Sequence, residues 1–221
     1  MNFLSSINLR SILISIIPAL ICLTIHEFSH AFVAMKLGDT TARDQGRLTL
    51  NPIRHIDPIG AIMLVVFGFG WARAVPINMQ NFKNPKRGMA ISALAGPVSN
   101  IILAVVAFIA LGVIGGFMKA YTGAMAVVFD TVWRIGALSI SLAVFNLIPI
   151  PPLDGSKVMF SVLPDNAYAT LLRIERFGFI ILMIIVNTKI FDVTIGAATG
   201  WIIDRLAALT SMIMTVVRVI V

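Results

Sequence analysis

Five consecutive residues, His26-Glu27-Phe28-Ser29-His30, hold the groups best suited to chemistry. Histidines four apart fall on one helix face, so their imidazoles can grip a single metal ion. A glutamate beside the first histidine is positioned to act as general base on a metal-bound water. The motif closes an apolar run, Ile12 to Ile25, with the composition of a membrane helix. A charged side chain at mid-bilayer costs about 2.5–3.5 kcal/mol on insertion scales. Three titratable groups kept in such a place argue for use.

A catalytic zinc site commonly takes three protein ligands and keeps a fourth position open. One other histidine, His55, is present, so the third ligand is either His55 or a carboxylate: Asp154, Asp57 or Asp44. Asp154 is favoured. It follows a long apolar run and sits in a tight turn with Pro149, Pro151, Pro152 and Gly155. Such a turn fixes a side chain beside a neighbouring helix, although a lone Asp there also suits a helix cap. Two imidazoles and one carboxylate form a donor set that suits zinc, one ion per chain.

Elements must bring these residues together, and composition says which kind. Of the 221 residues 58% are hydrophobic and 12% charged, against about one-quarter charged in soluble domains. The reading is one membrane-embedded domain over residues 1–221, all-α and multi-pass. Eight Lys/Arg and three Asp lie between Lys36 and Arg87, and positive loops stay cytoplasmic. These charges are scattered along a loop without an aromatic platform, so nucleic acid is not the expected partner. The single cysteine, Cys22, excludes an intrachain disulfide and a cysteine-rich zinc site. The early segment has no clustered basic region and leads into the His-Glu motif, so it reads as a retained helix, not a signal peptide.

The first helix is expected over residues 9–37, kinked at Pro18. The alternation Arg47-Leu48-Thr49-Leu50, ending at Asn51-Pro52, predicts a short strand and a turn. Residues 59–71 are apolar but fewer than the roughly 20 that span a bilayer, which fits a re-entrant segment. A loop over 72–87 precedes helices over 88–119, with Gly96-Pro97 as a backbone break or close approach, and 124–148, where Asp130 and Arg134 are spaced to pair. The proline cluster ends the second of these. A polar patch at 164–176 precedes apolar stretches at 177–186 and 195–221, about two further C-terminal membrane helices; the last spans or lies in the interface. If 59–71 re-enters, Asp154 returns to the membrane face that carries His26 and His30. If 59–71 spans, Asp154 emerges on the opposite face.

Three motifs together resemble the site-2 protease family of intramembrane zinc metalloproteases. They are His26-Glu27-Phe28-Ser29-His30, Ala95-Gly96-Pro97-Val98-Ser99-Asn100, and Phe145-Asn146-Leu147-Ile148-Pro149 through Leu153-Asp154-Gly155. They occur in the family's order, each on its own expected helix. The resemblance implies zinc held by His26, His30 and Asp154, with Glu27 as catalytic base. It implies Asn146 near the substrate backbone or the developing oxyanion, with a helix–helix hydrogen bond as its structural alternative. Asn100 matches the end of the middle motif, where packing is the plainer role. His55, in Arg54-His55-Ile56-Asp57-Pro58, reads as a loop residue or as one near the site entrance. Residues 46–51 are similar to the family's edge strand, which could hold a substrate in extended form. With no room for a PDZ or CBS domain, the chain is similar to a minimal member.

The expected activity is hydrolysis of peptide bonds in or near transmembrane segments of other membrane proteins, at the cytoplasmic side of the cell membrane. The lipid bilayer and a transmembrane protein are the expected partners. Two rivals are a metal-binding transporter and a family member that binds membrane proteins without cutting them. A transporter would carry internal repeats and broken helices in matching halves, and no repeat is visible. An intact His26, Glu27, His30 and Asp154 set argues against the second.

Overall fold

The first apolar run folds into one helix, α1 (Leu9–Lys36), continuous through Pro18. In the computed structural model, residues 9–67, 71–164, 168, 177–186 and 188–220 are described. Among them, three helices are long and apolar enough to cross a membrane: α1 from Ile16 to Lys36, α4 (Pro85–Phe117) and α5 (Gly123–Asn146). Between α1 and α4 lie the short helices α2 (Thr41–Asp44) and α3 (Pro58–Phe67). After α5 come α6 (Asp154–Ser161), α7 (Gly178–Val186) and α8 (Lys189–Ile220).

The order of contacts along α4 fixes the helix directions. Ser92 lies beside His30 and Asn100 beside His26, so α4 runs antiparallel to α1. The short connection over residues 118–122 returns the chain as α5, parallel to α1. Cys22 Sγ lies 3.2 Å from Ser139 Oγ and 3.5 Å from the Ile135 carbonyl, which sets the register between α1 and α5. The turn after α5 then delivers Asp154 back to the two histidines.

The ten residues of α3 rise about 15 Å, half the thickness of a hydrocarbon core. Its flanks meet: Ile56 and Ala72 form an antiparallel bridge, and the Arg73 N–H donates to the His55 carbonyl at 2.9 Å. The two flanks of α3 therefore lie side by side. Residues 68–70, within the expected re-entrant stretch, lie outside the described residues. So does most of the polar patch at 164–176.

The strand expected over Arg47-Leu48-Thr49-Leu50 does not form. Residues 48–50 are bends, and among the described residues the bridge at Ile56 and Ala72 is the sole β-pairing. Arg47 occupies the acceptors a neighbouring strand would use, donating Nη2 to the carbonyls of Arg73 at 2.6 Å and Ala74 at 3.4 Å. Thr49 is consumed locally, its hydroxyl accepting from Asn51 N–H and its carbonyl from His55 Nε2. The alternation instead reflects Leu48 packing on the cluster of Ala31, Ala42 and Val75, while Leu50 is exposed.

Helix α4 begins earlier than expected. Asn84 accepts from the Arg87 N–H and Pro85 takes the first turn. Gly96-Pro97 does not interrupt it. The expected Asp130–Arg134 pair is absent among the described residues, and Asp130 accepts from the Tyr121 hydroxyl instead. Helix α8 lies parallel to α4, joined to it by Thr210 Oγ1 on the Phe108 carbonyl at 2.7 Å and Arg218 Nη2 on the Gly115 carbonyl at 3.2 Å. The last apolar stretch thus runs along a membrane-length helix, not across its end.

Asp39, buried just after α1, ties the loop after α3 to this frame. Its carboxylate accepts from Thr41 N–H and Oγ1, from Asn78 N–H at 2.7 Å and from Asn81 Nδ2 at 2.8 Å. Burial raises its pKa, but these hydrogen bonds outweigh burial and hold it below the ordinary 3.8. A depressed folded pKa contributes stability that is complete above the unfolded value and lost as pH falls through the folded one. Asp39→Asn should therefore lower the thermal midpoint of the purified protein above pH 5 by the equivalent of about 1–3 kcal/mol. Parallel melts at lower pH should find the gap to the parent chain closing below about pH 4.

Candidate active site

Three donor atoms converge where α1, α4 and α6 meet. His26 Nε2 lies 3.0 Å from His30 Nε2 and 3.2 Å from Asp154 Oδ2, and His30 Nε2 lies 3.1 Å from the same Oδ2. His26 and His30 are each 5% exposed, Asp154 8% and Glu27 7%. Ligand atoms about 2.0–2.2 Å from a tetrahedral zinc stand about 3.3–3.6 Å apart. The observed triangle needs to spread by only a few tenths of an ångström to become one face of such a site.

The backs of the imidazoles agree with this. His30 Nδ1 donates to the Ser92 carbonyl at 2.7 Å, which leaves a lone pair on Nε2. His26 Nδ1 lies 3.4 Å from the amide nitrogen of Asn100. Asn100 Oδ1 is buried without a partner among the described residues. A His26 that gives Nε2 to a metal carries its hydrogen on Nδ1, and turning the Asn100 amide over pairs that hydrogen with Oδ1. The orphaned oxygen and the donor set both fit a cation held by His26, His30 and Asp154.

Close approach of backbone makes this possible. A Cβ on Gly96 would stand 2.3 Å from His30 Nε2 and 2.6 Å from His26 Cε1. A Cβ on Gly155 would stand 2.2 Å from the Leu147 carbonyl oxygen. Gly96 thus lets α4 press on the histidine rings, and Gly155 lets the turn fold back so that Asp154, first residue of α6, faces them. Asp154 Oδ1 points to Lys157 Nζ at 3.7 Å.

Glu27 is anchored separately. Its Oε2 accepts from the Val75 N–H at 2.8 Å. Val75 packs on Ala31, one turn further along α1, and Arg47 grips the two preceding carbonyls.

The other expected site residues sit apart from the triangle, except Asn100. Asn146 Nδ2 donates to the Leu142 carbonyl at 3.0 Å, a bond within its own helix. His55 Nε2 bonds the Thr49 carbonyl at 2.8 Å. Asp57 caps α3 by accepting from Ile59 and Gly60 N–H, and Asp44 pairs with Thr40 and Arg43. None of His55, Asp57 and Asp44 joins the metal cluster. Sequence reasoning missed Ser92, Val75 and Arg47. For α4 a signal existed: Gly88, Ser92, Gly96 and Asn100 recur every four residues, the small-residue face of a helix that packs closely in a membrane.

Gly96→Ala should displace the histidine rings, and elemental analysis of the purified protein should then find most of the zinc gone. Gly196→Ala, where a Cβ meets open space, should retain it. Asn100→Ala should weaken zinc binding by about 10–100-fold in a chelator competition.

The sequence profile of peptidase family M50 matches residues 14–186. The chain is 40% identical over 176 residues to the "Putative zinc metalloprotease YwhC" of Bacillus subtilis, covering 79% of this chain and 80% of that protein. It is 30% identical over 190 residues to the "Putative zinc metalloprotease Rip2" of Mycolicibacterium smegmatis, covering 84% and 71%. The "Putative zinc metalloprotease MJ0611" of Methanocaldococcus jannaschii is 30% identical over 136 residues, covering 61% and 62%. No solved structure matches the chain significantly. Three helices long and apolar enough to cross a membrane, a buried His-His-Asp triangle and these matches lead to one assignment: the chain belongs to peptidase family M50, the site-2 protease family of zinc metalloproteases.

Proposed function

We propose that this protein is an intramembrane zinc endopeptidase that cuts peptide bonds in or near transmembrane segments of other membrane proteins. The observation that carries the reading is the buried triangle of His26, His30 and Asp154, with edges of 3.0–3.2 Å, whose two histidines lie on the helix that also carries Glu27. In this reading His26, His30 and Asp154 hold one zinc ion. When bound, zinc supplies Lewis acidity that makes water a nucleophile at neutral pH and polarises the scissile carbonyl.

The protein's own groups do the rest. The Glu27 carboxylate takes a proton from the attacking water and passes it to the leaving amine nitrogen. Val75 N–H fixes one of its oxygens, so the other is free to move the proton. Ser92 and Asn100 orient the two imidazoles from behind. Asn146 stands at the end of α5, and one of its two amide hydrogens is used on Leu142. The second is available for the substrate backbone or for the charge growing on the carbonyl oxygen. A peptide bond inside a helix hides its carbonyl, so the substrate must unwind before attack. The basic segment between Lys36 and Arg87 favours a site at the cytoplasmic side of the bilayer.

Glu27→Gln should keep its zinc and lose cleavage of a reconstituted membrane substrate by about 100-fold or more; turnover at the parent rate would remove Glu27 from the role. Orientation is tested by thiol labelling of Gln45→Cys and Val162→Cys in sealed vesicles. Both should react from the cytoplasmic side, and labelling from opposite sides would undo the layout.

A further inference from the structure

A cavity of about 360 Å³ opens between α1, α5 and the segment around α3, within the range of about 300–1,000 Å³ typical of ligand sites. Leu20, Leu23, Ala61, Trp71, Leu138 and Leu142 make much of its wall. Thr24 and His55 line it too, 6% and 2% exposed. Thr24 Oγ1 and His55 Nδ1 have no hydrogen-bond partner among the described residues. A buried polar atom left unpaired costs about 1–3 kcal/mol. Two of them on one apolar cavity mark a place built for a ligand that pairs with both.

Their chemistry describes that ligand. His55 Nε2 sits 2.8 Å from the Thr49 carbonyl, so Nε2 carries the hydrogen and Nδ1 is an acceptor. The Thr24 hydroxyl can donate. The occupant therefore brings one N–H donor and one acceptor within an apolar body. A peptide unit beside an apolar side chain has that composition.

Helix register says where such a peptide comes from. On α1 the lining stripe Leu20, Leu23, Thr24 reaches Glu27 one turn further on. On α5 the stripe Leu138, Leu142 reaches Asn146 in the same way. The two helices run parallel, so both stripes leave the cavity at the same end, the end that holds the proposed base. The cavity is the apolar continuation of the site.

We infer that this cavity is the specificity subsite of the enzyme: it receives one apolar side chain of the unwound substrate next to the cut bond, with a substrate backbone N–H on His55 Nδ1 and a substrate carbonyl on the Thr24 hydroxyl. The inference rests on the endopeptidase reading above and names the substrate feature that reading leaves open.

The test varies each residue flanking the cut in a reconstituted membrane substrate among Ala, Leu and Phe, using the zinc-loaded full chain. At one position Leu should exceed Ala by at least tenfold in kcat/KM. Ala61→Phe should erase that preference at this position and leave the ratios at other positions in place. Ala19→Leu, on another wall, should narrow it in the same direction. Thr24→Val should lower kcat/KM about tenfold, mostly through KM, and Thr24→Ser should restore it. A Leu-to-Ala ratio unmoved by both wall variants, or a Thr24→Val enzyme equal to the parent, overturns the subsite.

A binding readout separates this inference from the one beneath it. In the Glu27→Gln chain, a photo-reactive phenylalanine analogue at the selective substrate position should label peptides from residues 52–72. Label in the cavity without cleavage by the parent enzyme would sink the endopeptidase reading and reduce the cavity to a peptide-binding pocket. Cleavage with label elsewhere would sink the subsite alone.

Discussion

Two imidazole nitrogens and a carboxylate oxygen brought within 3.2 Å of one another in a buried setting are the constraint on which the rest of this fold depends. Lone pairs so close, away from water, are compatible only with a cation or shared protons between them. Holding them there takes three segments far apart in the chain. Helix α1 supplies the histidines, α6 the carboxylate, and α4 the wall against which both are set. Helix α4 has no donor atom in the triangle, yet it gives the Ser92 carbonyl to His30, the Asn100 amide to His26, and at Gly96 the absence of a side chain. The α4–α5 hairpin also returns the chain to the part of α1 that carries the histidines. A shared polar network of this kind rigidifies because each partner left unpaired is expensive at low dielectric.

The parts of this arrangement that were legible in the sequence are those with local periodicity. The four-residue spacing of His26 and His30, the apolar runs of α1, α4 and α5, and the shortness of the stretch around α3 can all be read residue by residue. Asp154 was legible because its turn is crowded with proline and glycine, although what Gly155 does, clearing the Leu147 carbonyl, is a fact of packing. What could not be read was side chain paired with distant main chain. Arg47 looked like the first residue of a strand and like a topology signal, yet it is buried against the carbonyls of Arg73 and Ala74. Its use of those acceptors removes the ladder that the alternation of Leu48 and Leu50 suggested. Asp130 and Arg134 had the spacing to pair, but Tyr121 reaches Asp130 from before the helix begins. Spacing within one helix says who can meet, not who competes from outside.

Irregular backbone close to a bilayer is tolerated only where its polar groups find partners inside the protein. The stretch from Arg73 to Asn81 is such backbone, and three charged side chains serve it. Arg47 takes the carbonyls at 73 and 74, Glu27 takes the N–H at 75, and Asp39 takes the N–H at 78 and the Asn81 amide. Arg47, which composition alone assigns to membrane orientation, therefore also does a structural task. Glu27 and Asp39 lie near the end of α1 and just beyond it, so the loop is fixed to the same helix that carries both histidines.

This gives Glu27 two attachments that must be compatible. Its backbone belongs to the helix of His26 and His30, and its carboxylate is tied to a loop that is continuous, through Arg73 and the Ile56–Ala72 bridge, with the cavity wall at Ala61 and Trp71. On the proposed reading, a peptide that enters the cavity would push on the same segment that sets the position of the Glu27 oxygen. Substrate fit and proton transfer would then be mechanically joined through a few residues: a side chain that seats well would leave Val75 N–H where it holds the carboxylate, and one that crowds Trp71 would shift it. Precision of about half an ångström is what a positioned acid–base group requires. A rigid α1 alone would fix the Glu27 backbone, but not the direction of its carboxylate. The loop supplies that direction through the Val75 N–H.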